Sequence, residues 1–166
     1  SRFLLCNKIS LMDKRLFLVG MGAWLVGCAS KPRQPAVPVD HVKRQDIVMQ
    51  AVAMLDRGYT YGGKKLHTGF DCSGLVSFVY QESAGIALQG SAAHMASASR
   101  PVDAQEAHPG DLVFFNTLGS AFSHVGIYIG DGKFVHAANE RTGVKTERLT
   151  HVYWAKRFEG YRTVFA

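Results

Sequence analysis

Three residues in this chain have types and settings suited to acyl chemistry: Cys72, His124 and His136. Cys72 lies in Phe70-Asp71-Cys72-Ser73-Gly74-Leu75-Val76, where an apolar helical stripe begins directly after a capping-type aspartate. The first turn of a helix carries unpaired amide N–H groups and the positive end of the helix dipole. Both stabilise a thiolate, the form of cysteine that attacks carbonyls, and the same amides can hold a tetrahedral oxyanion. Position alone does not make a nucleophile, because cysteine is also a common small buried residue. A nucleophile needs a base. His124 opens His-Val-Gly-Ile-Tyr-Ile-Gly and His136 closes Phe-Val-His-Ala. Taken singly, each histidine reads as an ordinary strand residue.

Whether the two imidazoles can meet is a question of strand register. With a two-residue turn at Asp131-Gly132, His136 falls opposite Ile127 and His124 points to the other face. With a three-residue loop Gly130-Asp131-Gly132, His136 falls opposite Gly126 and shares a face with His124. The rings are then diagonal neighbours within side-chain reach, and Gly126 leaves space between them. The sequence permits either register.

The elements that must position these residues follow from periodicity and punctuation. A helix is expected from His41 to Arg57, capped by Asp40, with Ile47, Val48, Ala51, Val52, Met54 and Leu55 as its apolar stripe. Tyr59–Gly63 reads as an extended aromatic piece ending in a turn. A second helix is expected over Cys72–Ala84, closed by Gly85, and a short third over Ala92–Ala98. Then the period changes to two. Asp111–Phe115, His124–Ile129, Lys133–Ala137, Val144–Leu149 and Val152–Tyr161 read as strands. Helices followed by an antiparallel meander define an α+β layout.

Composition bounds the rest. The chain has 166 residues, 47% hydrophobic and 19% charged, which fits one globular domain and excludes a disordered chain or a coiled coil. Its net charge of +6 suits a polyanionic neighbour. The basic residues are scattered without a run or an RNA-binding aromatic motif, so nucleic acid is not the expected partner. Three cysteines, Cys6, Cys28 and Cys72, cannot build a disulfide framework. No Cys/His pair has zinc-ligand spacing, and no metal or other cofactor is expected. From Met12, Lys14 and Arg15 precede an apolar run, Leu16 to Val26, of signal-peptide length. The run ends in Leu-Val-Gly-Cys28 and resembles a bacterial lipoprotein signal, in which that cysteine becomes the acylated first residue. The expected organisation is an upstream extension over 1–11, a signal over 12–28, a proline-rich tether over 29–40 and a catalytic domain over 41–166.

Tyr-Thr-Tyr-Gly-Gly, Phe-Asp-Cys-Ser-Gly-Leu-Val, Gly-Asp-Leu-Val-Phe-Phe, Ser-His-Val-Gly-Ile-Tyr-Ile-Gly-Asp-Gly-Lys-Phe-Val-His-Ala and the closing Tyr-Trp-Ala-Lys-Arg run in this order from about Val42 to Tyr161. In that order they resemble the NlpC-type bacterial cell-wall cysteine peptidases, with the Spr-type murein endopeptidase lipoproteins expected as nearest kin. The resemblance implies a papain-like α+β fold in which the cysteine opens a helix packed on an antiparallel sheet. It implies Cys72 as nucleophile, His124 as general base and His136 as the orienting third member. Tyr59 matches the family tyrosine beside the oxyanion site, with Tyr61 as the alternative. Asp71 and Ser73 match positions that hold the amine end of the substrate in some members, and Asp71 reads equally as a helix cap. The implied partner is peptidoglycan. The implied reaction is hydrolysis of stem-peptide amides, at the cross-link from D-alanine to meso-diaminopimelate or at the D-glutamyl–diaminopimelate bond. A non-catalytic wall lipoprotein and an acyltransferase are the alternatives on the same fold. A monomer is expected, lipid-anchored through Cys28 in the bacterial envelope. Ala29 lacks the charge linked to inner-membrane retention, which directs it to the outer membrane, facing the periplasm.

Overall fold

A computed structural model describes residues 41–166. The Asp40 cap, the signal, Cys28 and the tether lie outside the described residues. The chain begins with helix α1 (His41–Ala53), passes through a small hairpin of β1 (Lys64–Lys65) and β2 (Gly69–Phe70), and enters helix α2 (Cys72–Ala84) and short helix α3 (Ala92–Ser97). Strands β3 (Arg100–Val102), β4 (Leu112–Phe115), β5 (His124–Gly130), β6 (Lys133–Asn139) and β7 (Gly143–Arg148) follow. The single-turn helix α4 (Val152–Ala155) and strand β8 (Phe158–Thr163) complete it. Among the described residues no helix is long and apolar enough to cross a membrane.

The expected α+β architecture is present: helices pack on an antiparallel sheet of order β3-β8-β4-β5-β6-β7, and Cys72 opens α2. Three details differ from the sequence reading. Helix α1 stops at Ala53 rather than Arg57, because the Asp56 N–H donates to the Val144 carbonyl and Val144 N–H to the Arg57 carbonyl. Those backbone groups serve the edge of the sheet, so the helical ladder cannot continue. The stretch Val152–Tyr161 is not one strand: α4 comes first, started by His151, whose ring Nδ1 accepts from the Tyr153 N–H. The sheet is also not a plain meander, since β8 returns beside β4 and carries β3 as an outer strand that sequence reading missed.

Strand alternation divides the apolar residues into two layers. Val125, Ile127, Val135, Ala137, Leu112 and Phe114 face the helices and bury Ile47, Ala51, Leu75, Val76 and Val79. Val113, Phe115 and Phe134 face the other way, against Trp154. Arg44 of α1 is tied to the sheet through a buried ion pair, its Nη1 2.7 Å from Asp111 Oδ1, while its Nη2 donates to Thr163 Oγ1 at 3.0 Å.

Candidate active site

The N-terminus of α2 is built by local chemistry. Asp71 holds an extended backbone as N-cap, and its Oδ1 accepts from the Gly74 N–H at 2.6 Å and from the Ser73 hydroxyl at 3.0 Å. Its Oδ2 accepts from the Gly62 N–H at 3.0 Å, so one carboxylate both caps the helix and moors the preceding loop. Closer mooring comes from the Asp71 N–H, which donates to the Gly63 carbonyl at 3.0 Å. A Cβ on Gly74 would lie 1.9 Å from that same carbonyl oxygen, so only glycine lets the loop rest on the first turn. The role of Gly74 was legible only as part of a motif.

That loop carries Tyr59. Its segment pairs with Phe70 through Thr60 N–H to the Phe70 carbonyl and Phe70 N–H to the Gly58 carbonyl. Burial raises the Tyr59 phenol above its ordinary pKa, and negative charge on Cys72 and Asp71 adds to the shift. Tyr61, in contrast, is 88% exposed. Tyr59 is the half-buried one of the two, and both line the cavity that Cys72 borders.

The histidine register is decided by a turn and a bulge together. Asp131 and Gly132 both take left-handed backbone, with φ of 52° and 67°, as a two-residue primed hairpin turn requires. Gly130 pairs with Lys133 across it, and that pairing alone would set His136 opposite Ile127. A shift between Tyr128 and Gly130 takes up Ile129, so Ile127 pairs with Val135 and the pattern places His136 beside Gly126. The observed register is the one expected of a three-residue loop, reached by a shorter turn plus one bulged residue. A Cβ on Gly126 would lie 2.7 Å from the Phe134 ring and 3.4 Å from His136 Cβ, which confirms the space this glycine leaves. His124 Nε2 lies 2.9 Å from His136 Nδ1, a buried side-chain hydrogen bond.

Both imidazoles lie on the sheet face turned away from α2, with Phe115 and Phe134. Cys72 lies at the end of the sheet where β5 starts, with the Val125 amide against its sulfur. A cavity of about 670 Å³ opens there, lined by Cys72, His124, Tyr59, Asp71, Ser73 and Trp154 among others. Burial pushes the Cys72 thiol up. The Val125 amide opposes that shift, Asp71 reinforces it, and the Ser73 and Cys72 amides lower it again. Burial also lowers His124 to about 4, with Asp71 pulling weakly upward, and sends His136 well below the ordinary imidazole value. Burial thus favours the uncharged form of each of the three side chains. Among the described residues no group of three or more His, Cys, Asp or Glu side chains is placed to hold a metal ion.

Sequence reasoning missed Trp154 as a site residue. Its indole stacks on His124 with centroids 5.4 Å apart and meets His136 edge to face at 4.7 Å. His67, His94, His108 and His151 are exposed.

A helix-borne cysteine, a hydrogen-bonded histidine pair on an antiparallel sheet and a shared cavity define a papain-like cysteine hydrolase. Residues 56–163 match the NlpC/P60 family, and the chain belongs to that family. It is 38% identical over 117 residues to the gamma-DL-glutamyl hydrolase of Bacillus subtilis, covering 70% of this chain and 28% of that protein. It is 36% identical over 114 residues to the murein DD-endopeptidase MepH of Escherichia coli, covering 66% and 42% respectively. The chain thus spans less than half the length of these relatives. Among solved structures, a lipoprotein-like NLP/P60 protein of Staphylococcus aureus superposes with TM-score 0.67 at 31% identity, over 82% of this chain and 45% of that one. The NlpC/p60 domain of the peptidoglycan hydrolase SagA gives 0.62 at 30% identity, over 73% and 98%.

Proposed function

We propose that this protein is a cysteine endopeptidase that hydrolyses amide bonds in peptidoglycan stem peptides, with Cys72 as nucleophile, His124 as base and His136 as orienting member. The observation that carries the reading is the 2.9 Å hydrogen bond between His124 and His136 beside a cavity that Cys72 and His124 share. An uncharged His124 takes the thiol proton as Cys72 Sγ attacks the scissile carbonyl, and the amides around the sulfur receive the oxyanion. Protonated His124 then gives that proton to the leaving amine as the acyl-enzyme forms. Water, deprotonated by His124, attacks the thioester, and the carboxylic acid and free thiol are regenerated. Tyr59 donates its phenol hydroxyl at the oxyanion site. Ser73 and Asp71 border the substrate amine, Asp71 acting from its capping position.

The proposed scissile bond is the D-alanine to meso-diaminopimelate cross-link, a reading supported by the name murein DD-endopeptidase of the Escherichia coli relative. The second reading, the D-glutamyl–diaminopimelate bond, is favoured by the names gamma-DL-glutamyl hydrolase and DL-endopeptidase among the relatives. The proposed setting is the outer membrane, with the domain tethered through acylated Cys28 and working as a monomer on the wall. The test is digestion of diaminopimelate-type peptidoglycan by the purified protein beside Cys72→Ala, with products read by mass spectrometry. Cys72-dependent loss of cross-linked dimers with intact tetrapeptide monomers supports the first bond, and dipeptide-bearing stems support the second. No Cys72-dependent product from reduced, folded protein overturns the hydrolase reading.

A further inference from the structure

The buried histidine pair has one unexplained atom. His136 is fully buried, its Nδ1 is bonded to His124, and its Nε2 has no hydrogen-bond partner among the described residues. The rings packed against His136 are His124, Phe134 at 5.0 Å and Trp154 at 4.7 Å, the last nearly perpendicular at 81°. The same indole lies over His124 at 28° to its plane and is itself 8% exposed.

We propose that Trp154 is a positioning residue for the histidine pair: its indole closes both rings off from water and selects the tautomer in which His124 donates from Nε2 to His136 Nδ1. The inference rests on the Cys-His-His reading and deepens it. A neutral imidazole carries its proton on one nitrogen. Aromatic faces are electron-rich, so they accept an N–H and repel a lone pair. An orphan Nε2 among aromatic rings is therefore favoured as N–H, which leaves Nδ1 as the acceptor and makes His124 Nε2 the donor. The lone pair of His124 then sits on Nδ1, the nitrogen not engaged by His136, where a thiol proton can be received. Trp154 acts through the histidines and touches no reacting atom in this scheme. Phe115 at 4.8 Å and Phe134 at 5.3 Å also pack against the indole and keep it in place.

Beyond the effect of a charged His124 on His136, the charged groups that bear on the two rings are Asp71 at the cap of α2, which favours protonation of His124, and Lys145 on β7, which disfavours protonation of His136. Neither is altered by changing Trp154, so a shift in such a variant reports the indole. The test uses the full chain with nitrogen-15 histidine in three forms: unaltered, Trp154→Phe and Trp154→Leu. Imidazole nitrogen shifts are followed against pH, together with the acid limb of kcat/KM. The unaltered protein is expected to show one tautomer at His124, protonated on Nε2, and titration well below the ordinary value. Trp154→Leu is expected to admit both tautomers and to raise the His124 midpoint so that half-protonation needs at least tenfold less proton. Trp154→Phe is expected to fall between, with about a threefold reduction in the proton concentration needed. Should Trp154→Leu not fold, the Phe variant decides. Unchanged tautomers and midpoints in every folded variant overturn the proposal and leave Trp154 as core filling. Because the tautomer is read without turnover, an unaltered protein that cuts no peptidoglycan sinks the hydrolase reading separately.

Discussion

Acidification tests how far the fold depends on keeping His124 uncharged. In the folded chain burial lowers its pKa to about 4, whereas the unfolded imidazole titrates near 6.5. The unfolded state therefore binds a proton that the folded state refuses. The resulting stability is fully present above the unfolded value and is lost as pH falls toward the folded one. The difference between about 4 and about 6.5 corresponds to about 3 kcal/mol in total, of which about 2 kcal/mol is gone by pH 5 and most of the remainder by pH 4. His136 contributes in the same sense, because its pKa is also lowered by burial. The assay is urea unfolding followed by circular dichroism at about pH 7.5 and about pH 5, on the unaltered protein and on His124→Gln. Glutamine retains an amide donor for His136 but cannot titrate. The unaltered protein should lose about 2 kcal/mol more than the variant between the two conditions. Equal losses in both proteins, within about 0.5 kcal/mol, would refute the claim that burial of this imidazole sets its protonation.

Three further outcomes follow from named contacts. Gly74→Ala forces a methyl into the Gly63 carbonyl oxygen and should lower stability by about 1–3 kcal/mol, with a larger proportional loss of activity, measured by urea unfolding and hydrolysis on one preparation. His136→Ala should lower kcat by about 10²–10⁴-fold with KM nearly unchanged, and His136→Asn, which can still accept from His124, should recover part of it in steady-state kinetics. Arg44→Leu leaves Asp111 buried at 1% exposure without its cation and should cost about 3–5 kcal/mol, read from the urea midpoint. The His108 N–H, which donates to Asp111 Oδ2 at 2.8 Å, softens that loss without replacing the ion pair.

Local chemistry was legible in the sequence because it acts over a few residues. Asp71, the apolar positions after Cys72 and Gly85 define α2 from start to stop, and the structure places that helix at Cys72–Ala84. Strands β4 to β7 follow from two-residue alternation within one or two residues of their ends. The closing segment misled the same reasoning. Val152, Trp154 and Phe158 alternate like a strand, yet a histidine cap and burial of the indole beneath the sheet turn the first four residues into helix. Tertiary packing overrides a short local pattern when one large ring has a buried place to go.

Residue types and order thus determined which groups were available: a cysteine at a helix start, two histidines on neighbouring strands and a glycine between them. Whether those histidines meet was left to one extra residue. The bulge at Ile129 moves the register by a single position, and a single position exchanges the faces of a strand. Nor could spacing show that the cysteine and His124 come to line one cavity, or that Trp154 packs on both histidines. Those relations join residues far apart in the chain, and packing and desolvation decide them only when the whole core assembles.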